Sequence, residues 1–203
     1  MEQINLFNQL GIERHFSQIN DKIRKQLRQN LQRIKDGDPE IIAREIATQH
    51  KVNCPVFDFP NTKTTVQRLP ESNRFEVFLT DFAFYEIPFT GDNVVLKCRP
   101  DRTNCVQPFP LPVELHRDKI EFSLNSQGYM DNPGQPRDRV KTYINSIKDY
   151  IECSITSLQE SIDIFNGSLE QAILNGVIDV KTKLVGEDDA RKEIEDDLNP
   201  FKD

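Results

Sequence analysis

Hydrophobic residues recur every three or four positions along residues 139–184. These alternating steps are the a/d spacing of a heptad repeat, which lays one narrow apolar stripe along a helix. As a single helix, this segment would be about 69 Å long at about 1.5 Å per residue. We expect a protein partner to cover part of a helix of this length. The predicted contact residues are Ile151, Ile155, Leu158, Ile162, Phe165 and Leu169.

A helical hairpin bent at Asn166-Gly167-Ser168 is the alternative for this segment. Gly167 costs about 1 kcal/mol inside a helix relative to alanine. However, Ile162 and Leu169 keep the seven-residue phase across the glycine, and a bend has no need to preserve it. We therefore predict one continuous or mildly kinked helix that frays after Leu184.

A shorter stripe of the same period covers residues 11–35 and predicts an amphipathic helix that stops at Asp36-Gly37. A second short helix should follow, because Asp38 can cap it and Pro39 suits its first turn. This helix is expected to end near His50. Since the two stripes share a period, the long helix is expected to pack against the first helix, which is only about half as long.

The middle of the chain predicts β-structure. Three prolines between residues 52 and 72 indicate an extended connection or an edge strand, because proline lacks a backbone donor. Alternating apolar residues from Phe75 onwards predict a strand covered on both faces. Two hairpins are expected, one turning at residues 90–93 and the other at Arg117-Asp118, and residues 125–138 are expected to form a loop.

Together these patterns predict an α+β fold, with a small antiparallel sheet packed by N-terminal helices and a long C-terminal heptad-patterned helix or helical hairpin. The expected order is N-terminal helices at 1–51, the β unit at 52–127, the long helix at 139–184 and an acidic disordered tail at 185–203. From residue 186 onwards the tail has eight acids and three bases, and too few apolar residues to pack.

The net charge of −7 argues against general affinity of the whole chain for nucleic acid or anionic membranes. No apolar run is long enough to span a membrane, and the N-terminus lacks the features of a signal peptide. We therefore expect a soluble, cytoplasmic protein without membrane contact. In that compartment Cys54, Cys98, Cys105 and Cys153 should be reduced. A zinc site at His50, Cys54, Cys98 and Cys105 is the alternative, although the usual short ligand spacing is absent.

The first helix carries a local charge of +5, concentrated at Arg24, Lys25 and Arg28. Such a cluster can contact anions or nucleic acid through salt-sensitive interactions. It also lies opposite the apolar stripe, where any surface helix is charged. A solvated face is the preferred interpretation, followed by pairing with an acidic protein surface, which includes this chain's own tail, and then by nucleic-acid binding.

Motifs for catalysis are weak. There is no glycine-rich phosphate loop and no Gly-x-Ser-x-Gly elbow. Acids and a lysine in the β unit could serve a metal-assisted hydrolase or nuclease: Asp81, Glu86, Asp92, Glu114 and Lys119. A strand bend or bulge that turns Asp81 to solvent is preferred over a role in a ligand pocket.

The leading functional hypothesis is a non-catalytic binding, scaffold or regulatory subunit that assembles through its helices within a larger protein complex. The partner would be another protein, a second copy of the chain, or both. We assign no catalytic, metal-binding or cofactor-binding residues and expect no cofactor. The alternatives are the metal-assisted hydrolase and nucleic-acid binding by the basic first helix. No motif resembles a known family closely enough to transfer residue roles.

Overall fold

The structure is a computed structural model that describes residues 2–72, 77–100, 105, 112–126 and 135–198. It confirms the α+β class. The strands are β1 (Glu2–Asn5), β2 (Leu10–Gly11), β3 (Val56–Phe57), β4 (Lys63–Ser72), β5 (Val77–Thr90), β6 (Cys98–Arg99), β7 (Pro112–Leu115) and β8 (Lys119–Ser126). The α-helices are α1 (Ile12–Gln29), α2 (Leu31–Asp36), α3 (Pro39–His50) and α4 (Gln135–Asp197), and short 3₁₀ helices lie at Phe59–Asn61 and Asn93–Lys97.

The described residues fall into two compact units. Unit 1 comprises those within 1–14 and 53–162, and therefore holds the strands and the first part of α4. Unit 2 comprises those within 15–52 and 163–203, and holds most of α1, all of α2 and α3, and the rest of α4. The N-terminal region predicted to be helical thus begins with two strands. The sequence of β1, Glu-Gln-Ile-Asn, has a single large apolar residue and gave no periodic signal.

The main sheet of unit 1 is antiparallel, with the order β1-β7-β8-β5-β3 and with β4 also paired to β5. β4 pairs with β5 from Lys63↔Glu86 to Ser72↔Val77, whereas β8 reaches β5 only from Pro88 back to Asp81. Among the described residues, positions 77–80 of β5 therefore pair with β4 alone. The prediction of an extended edge strand before residue 72 is confirmed in β4.

One of the two predicted hairpins is present. β7 and β8 pair around Arg117-Asp118, with Glu114 opposite Glu121. The hairpin predicted around residues 90–93 is wrong, because residues 93–97 form a 3₁₀ helix and Cys98 then pairs in parallel with Leu10 of β2. The loop predicted at 125–138 lies largely outside the described residues.

Gly91 makes the turn after β5 with φ +95°. A Cβ atom at this position would lie 2.6 Å from the carbonyl oxygen of Cys54. Both the left-handed backbone and the close approach of a second chain segment require glycine here.

The first predicted helix is split in two at Asn30. The Asn30 side chain donates a hydrogen bond from Nδ2 to the Gln26 carbonyl oxygen at 2.7 Å, and its backbone leaves the helical region with φ −114° and ψ 29°. The predicted start of the next helix is confirmed. Asp38 Oδ1 accepts hydrogen bonds from the backbone N–H groups of Glu40 and Ile41, and Pro39 occupies the first turn.

α4 is one continuous helix of 63 residues, which corresponds to about 95 Å. It passes through Gly167 without a break, so the hairpin alternative is wrong. The helix continues to Asp197, beyond the predicted fraying after Leu184, and the disorder predicted from residue 185 onwards stays a prediction. Two ion pairs contribute to the end of α4. Arg191 Nη1 lies 3.9 Å from Asp188 Oδ1, and Lys35 of α2 also pairs with Asp188. Residues 199–203 lie outside the described residues.

The core of unit 1 is formed where one face of the sheet meets the first part of α4. The rings of Tyr85 and Phe122 stack on this face with their centres 5.2 Å apart.

A disulfide joins Cys105 to Cys153 of α4, so the prediction of four reduced thiols is wrong for this pair. Cys54 and Cys98 are not disulfide-bonded, and the Cys54 thiol donates to the Ile155 carbonyl oxygen at 3.9 Å.

Asp81 is also buried, at 1% exposure, and the prediction that it turns to solvent is wrong. Arg68 of β4 donates hydrogen bonds from Nε and Nη2 to the two carboxylate oxygens of Asp81 at 2.7 and 3.1 Å.

In the described residues, no helix combines the length and the apolar character needed to cross a membrane.

Candidate functional site

Most of the predicted contact stripe on α4 is covered within the folded chain. Ile151, Leu158, Ile162 and Leu169 are at most 4% exposed. Ile155 and Phe165 are half-buried, and the Phe165 ring stacks on Phe16 of α1 at 4.3 Å. These side chains are therefore occupied by the chain's own packing, and a partner would need a different part of the surface.

The exposed apolar residues of α4 lie elsewhere on the helix. Ile164 is exposed, and after Val177, which is fully buried, the exposed residues are Ile178, Val185, Ile194 and Leu198. Residues 187–197 contain seven acids and two bases, and we call them the acidic segment. Ile194 lies within this segment and Leu198 directly follows it. All of its side chains are exposed except that of Asp188.

The predicted anion-binding residues Arg24, Lys25 and Arg28 are all exposed on α1, in the same unit as the acidic segment. We call them the basic face. Arg24 contacts Asp21 at 3.4 Å. Among the residues that the structure describes, no ion pair or hydrogen bond is found for the side chains of Lys25 and Arg28. Their charges are thus available to an acidic surface.

A second group of charges lies on the sheet face opposite to the one that packs on α4. The strand register places Glu86, Glu121 and Glu114 side by side on β5, β8 and β7. Lys119 lies two residues from Glu121 on β8 and shares this face because side chains alternate along a strand. His116 directly follows β7, and its backbone N–H bonds to the Lys119 carbonyl oxygen across the turn. We call these five residues the charged row.

Lys119 is the main cation of the charged row. Its Nζ lies 2.5 Å from Glu121 Oε1 and 3.0 Å from Glu86 Oε2. These hydrogen bonds, with Glu121 first, raise the pKa of Lys119. The hydrogen bond from Lys119 likewise lowers the pKa of Glu86, and Lys63, opposite Glu86 on β4, adds to this shift. Both groups are therefore charged at neutral pH.

At the other end of the charged row, around His116 and Glu114, less of the negative charge is balanced by cations. The side chain of His116 is 20% exposed, and its Nε2 is inaccessible to solvent. This atom makes no hydrogen bond within the described part of the chain, although it lies 3.4 Å from Glu121 Oε1. Glu114 is exposed, and no ion pair is found for it within the described ranges. Like charges directly opposite each other on paired strands are destabilising.

The structure brings together three of the five residues proposed for a metal-assisted hydrolase: Glu86, Glu114 and Lys119. It separates Asp81, which is on the opposite face with Arg68, and Asp92, whose Oδ2 accepts from the backbone N–H of Asn53 at 2.8 Å. His116 and Glu121 were missed. The predicted two-residue turn at Arg117-Asp118 could have identified these two residues. A hairpin with that turn places residue 114 opposite 121 and residue 116 opposite 119.

The opposite face of the sheet offers a cleft of about 420 Å³ next to α4. Its lining is mainly apolar, and Lys148 at its edge has its Nζ 5.4 Å from the centre of the Phe59 ring. This size and lining suit a small, mostly apolar ligand. The lining side chains are Phe59, Pro60, Thr62, Thr64, Tyr85, Ile87, Phe122, Ile144, Asn145, Ile147 and Lys148.

Comparison of the chain with protein-family models, with curated proteins and with solved structures finds no match. Function must therefore be argued from the described residues alone.

Proposed function

We propose that this chain is a non-catalytic binding subunit, of the scaffold or regulatory kind, that assembles through its helices with a second copy of itself. The observation that carries the proposal is the presence, in unit 2, of two exposed helical surfaces with opposite charge. These are the basic face on α1 and the acidic segment of α4.

Complementary charges on one chain favour a symmetric dimer. In such a dimer the acidic segment of each copy meets the basic face of the other, so every contact is made twice. The pairing of Lys35 with Asp188 within one chain has the same chemistry, an α2 lysine with an acid of α4. The basic face, Arg24, Lys25 and Arg28, is on α1. We propose that these three cations contact the acidic segment of the second copy.

Exposed ion pairs contribute little individually, about 0–1 kcal/mol each. The exposed side chains of Ile194 and Leu198, at 58% and 76%, add apolar area at the same end of α4. We therefore expect a dimer of modest affinity that weakens as salt increases, because the screening length falls from about 10 Å at 0.1 M to about 3 Å at 1 M.

The buried part of the stripe is not the assembly surface in this proposal. Ile162 is 1% exposed, so its replacement by aspartate would test folding before it tested assembly. The residues to change are exposed ones in the two charged surfaces.

The experiment measures molar mass against concentration, by light scattering and sedimentation, at low and high salt. We expect K25E/R28E to weaken the dimer at least about tenfold, which corresponds to about 1.4 kcal/mol. D189K/E193K should do the same from the other side, and the two pairs of changes combined should restore the dimer. The control K51E/K141E reverses two other exposed lysines and should leave the mass unchanged.

A mass of one chain at all concentrations would refute the proposal, as would an equal loss in the control. If K25E/R28E instead abolished retention on DNA or RNA and left the mass unchanged, the nucleic-acid alternative would replace it.

The cytoplasmic location stays a prediction. The disulfide between Cys105 and Cys153 weighs against it, because such bonds persist mainly in oxidising compartments.

A further inference from the structure

We infer that Glu114, His116 and Glu121 form a binding site for one divalent transition-metal ion, with Zn²⁺ as the best-matched species. One ligand atom from each of these residues lies within 4.8 Å of the others. A tetrahedral zinc ion with ligands at about 2.0–2.1 Å holds neighbouring ligand atoms about 3.4 Å apart. The distance of 3.4 Å between His116 Nε2 and Glu121 Oε1 already matches this spacing.

The strands fix these side chains in place. Glu114 and Glu121 are directly opposite on β7 and β8, and His116 is two residues from Glu114. The tight turn between the strands is closed by a hydrogen bond from the His116 backbone N–H to the Lys119 carbonyl oxygen at 3.0 Å. Glu114 and Glu121 are thus on paired strands, which hold ligands more precisely than loops do, and this hydrogen bond fixes the backbone of His116 directly after β7.

The unsatisfied groups of the charged row are the ones that a cation would satisfy. The Nε2 atom of His116 is desolvated without a hydrogen bond among the residues that the structure describes, and burying such a group costs free energy. Glu114 faces the like charge of Glu121. A cation between the three side chains would accept the imidazole lone pair and neutralise the two opposed carboxylates.

The donor set selects the class of ion. One imidazole nitrogen and two carboxylates suit zinc and neighbouring transition metals, whereas Mg²⁺ prefers six oxygen ligands in an octahedron. Three protein ligands leave a fourth position of a tetrahedral ion open for water or a further ligand.

Lys119 does not exclude the ion. It shares Glu121 Oε1 but also binds Glu86 Oε2, so it keeps an anionic partner if Glu121 turns towards a metal. A carboxylate also has a second oxygen and about four lone-pair sites in all, which allows Glu121 to serve both cations.

The test measures Zn²⁺ binding to the full chain by calorimetry and by equilibrium dialysis with metal analysis. We expect one ion per chain. Removal of outer-shell partners of metal ligands typically weakens binding about 10–100-fold, so the loss of a direct ligand in H116A or E114Q should cost at least about 100-fold. E86Q, in the same row but not a ligand, should change the affinity by less than about tenfold, and H50A should leave it unchanged.

Co²⁺ as a probe separates this site from the thiols of Cys54 and Cys98, because thiolate ligation adds a charge-transfer band that nitrogen and oxygen ligands lack. Circular dichroism of each variant without metal checks its folding. Glu114 is exposed, so E114Q keeps the test valid if H116A does not fold.

Equal Zn²⁺ affinity in the parent chain and in E114Q would overturn the inference. So would an equal loss in E86Q and E114Q, which would show that only the general negative charge attracts the ion. The site does not depend on the proposed assembly, since K25E/R28E should bind Zn²⁺ as the parent chain does.

Discussion

The two ends of α4 share one helix but differ in what their apolar residues do. From Ile147 to Val177 most stripe residues are buried, with Leu158 and Val177 fully inaccessible, and Ile155 and Phe165 are half-buried. Beyond Val177, Ile178, Val185, Ile194 and Leu198 stay between 44% and 76% exposed. A three-four period in the sequence therefore indicates a helix with an apolar side. It does not indicate whether the same chain or a partner covers that side.

The largest expected effect contrasts one residue from each end. Leu158→Asp would place an unpaired carboxylate in a fully buried position, and we expect a loss of more than about 4 kcal/mol in the free energy of unfolding. Ile194→Asp, at an exposed position of the acidic segment, should change this free energy by no more than about 0.5 kcal/mol. Urea unfolding followed by circular dichroism measures both. Similar losses in the two variants would break the distinction between the two ends.

The next effect concerns the disulfide, which is attached to α4 at Cys153, within the buried end. The bond closes a separation of 48 residues. The chain-entropy model gives about 4 kcal/mol for a loop of this length, as an upper value. C105S/C153S should therefore lower the free energy of unfolding by about 2–4 kcal/mol and reduce hydrogen-exchange protection at the buried end.

The control for that experiment is C54S, which alters a half-buried thiol outside the disulfide and should have a much smaller effect. An unchanged stability of C105S/C153S would show that the bond does not hold α4 in place.

The smallest effect is a pH dependence in the acidic segment. The hydrogen bond from Lys35 is the main cause that lowers the pKa of Asp188 below its ordinary value of 3.8. Because the pKa is lower in the folded chain, the pair stabilises the fold above the unfolded pKa. Its contribution is lost as pH falls through the folded pKa. An NMR titration of the Asp188 carboxyl should give a higher pKa in K35M, and an unchanged pKa would contradict the pairing.

The sequence was most informative where a local rule decides the structure. Asp38 and Pro39 mark the start of α3 because a side-chain cap and a missing N–H act within one turn. Arg117-Asp118 marks the β7–β8 hairpin for a similar reason. The continuity of α4 through Gly167 followed from the seven-residue phase, since about 1 kcal/mol from one glycine is small against the burial of the stripe.

The sequence was least informative where contacts are distant. β1 is recognisable only through its pairing with β7, more than a hundred residues away. The burial of Asp81 depends on Arg68 of β4, whose position is set by a ten-residue strand register. The charged row is similar, because Glu86 joins Glu121 only when β5 and β8 pair. Local patterns do not encode these partners.

Gly91 is a position at which the fold restricts the sequence to one residue type. A side chain there would meet the Cys54 carbonyl oxygen at 2.6 Å and would also have to adopt a φ of +95°. Two independent constraints, on the backbone conformation and on the space for a side chain, therefore disfavour every replacement of this glycine. A glycine directly after a long central strand, followed by an acid that accepts from the backbone N–H of Asn53, is thus the feature by which distant relatives could be recognised.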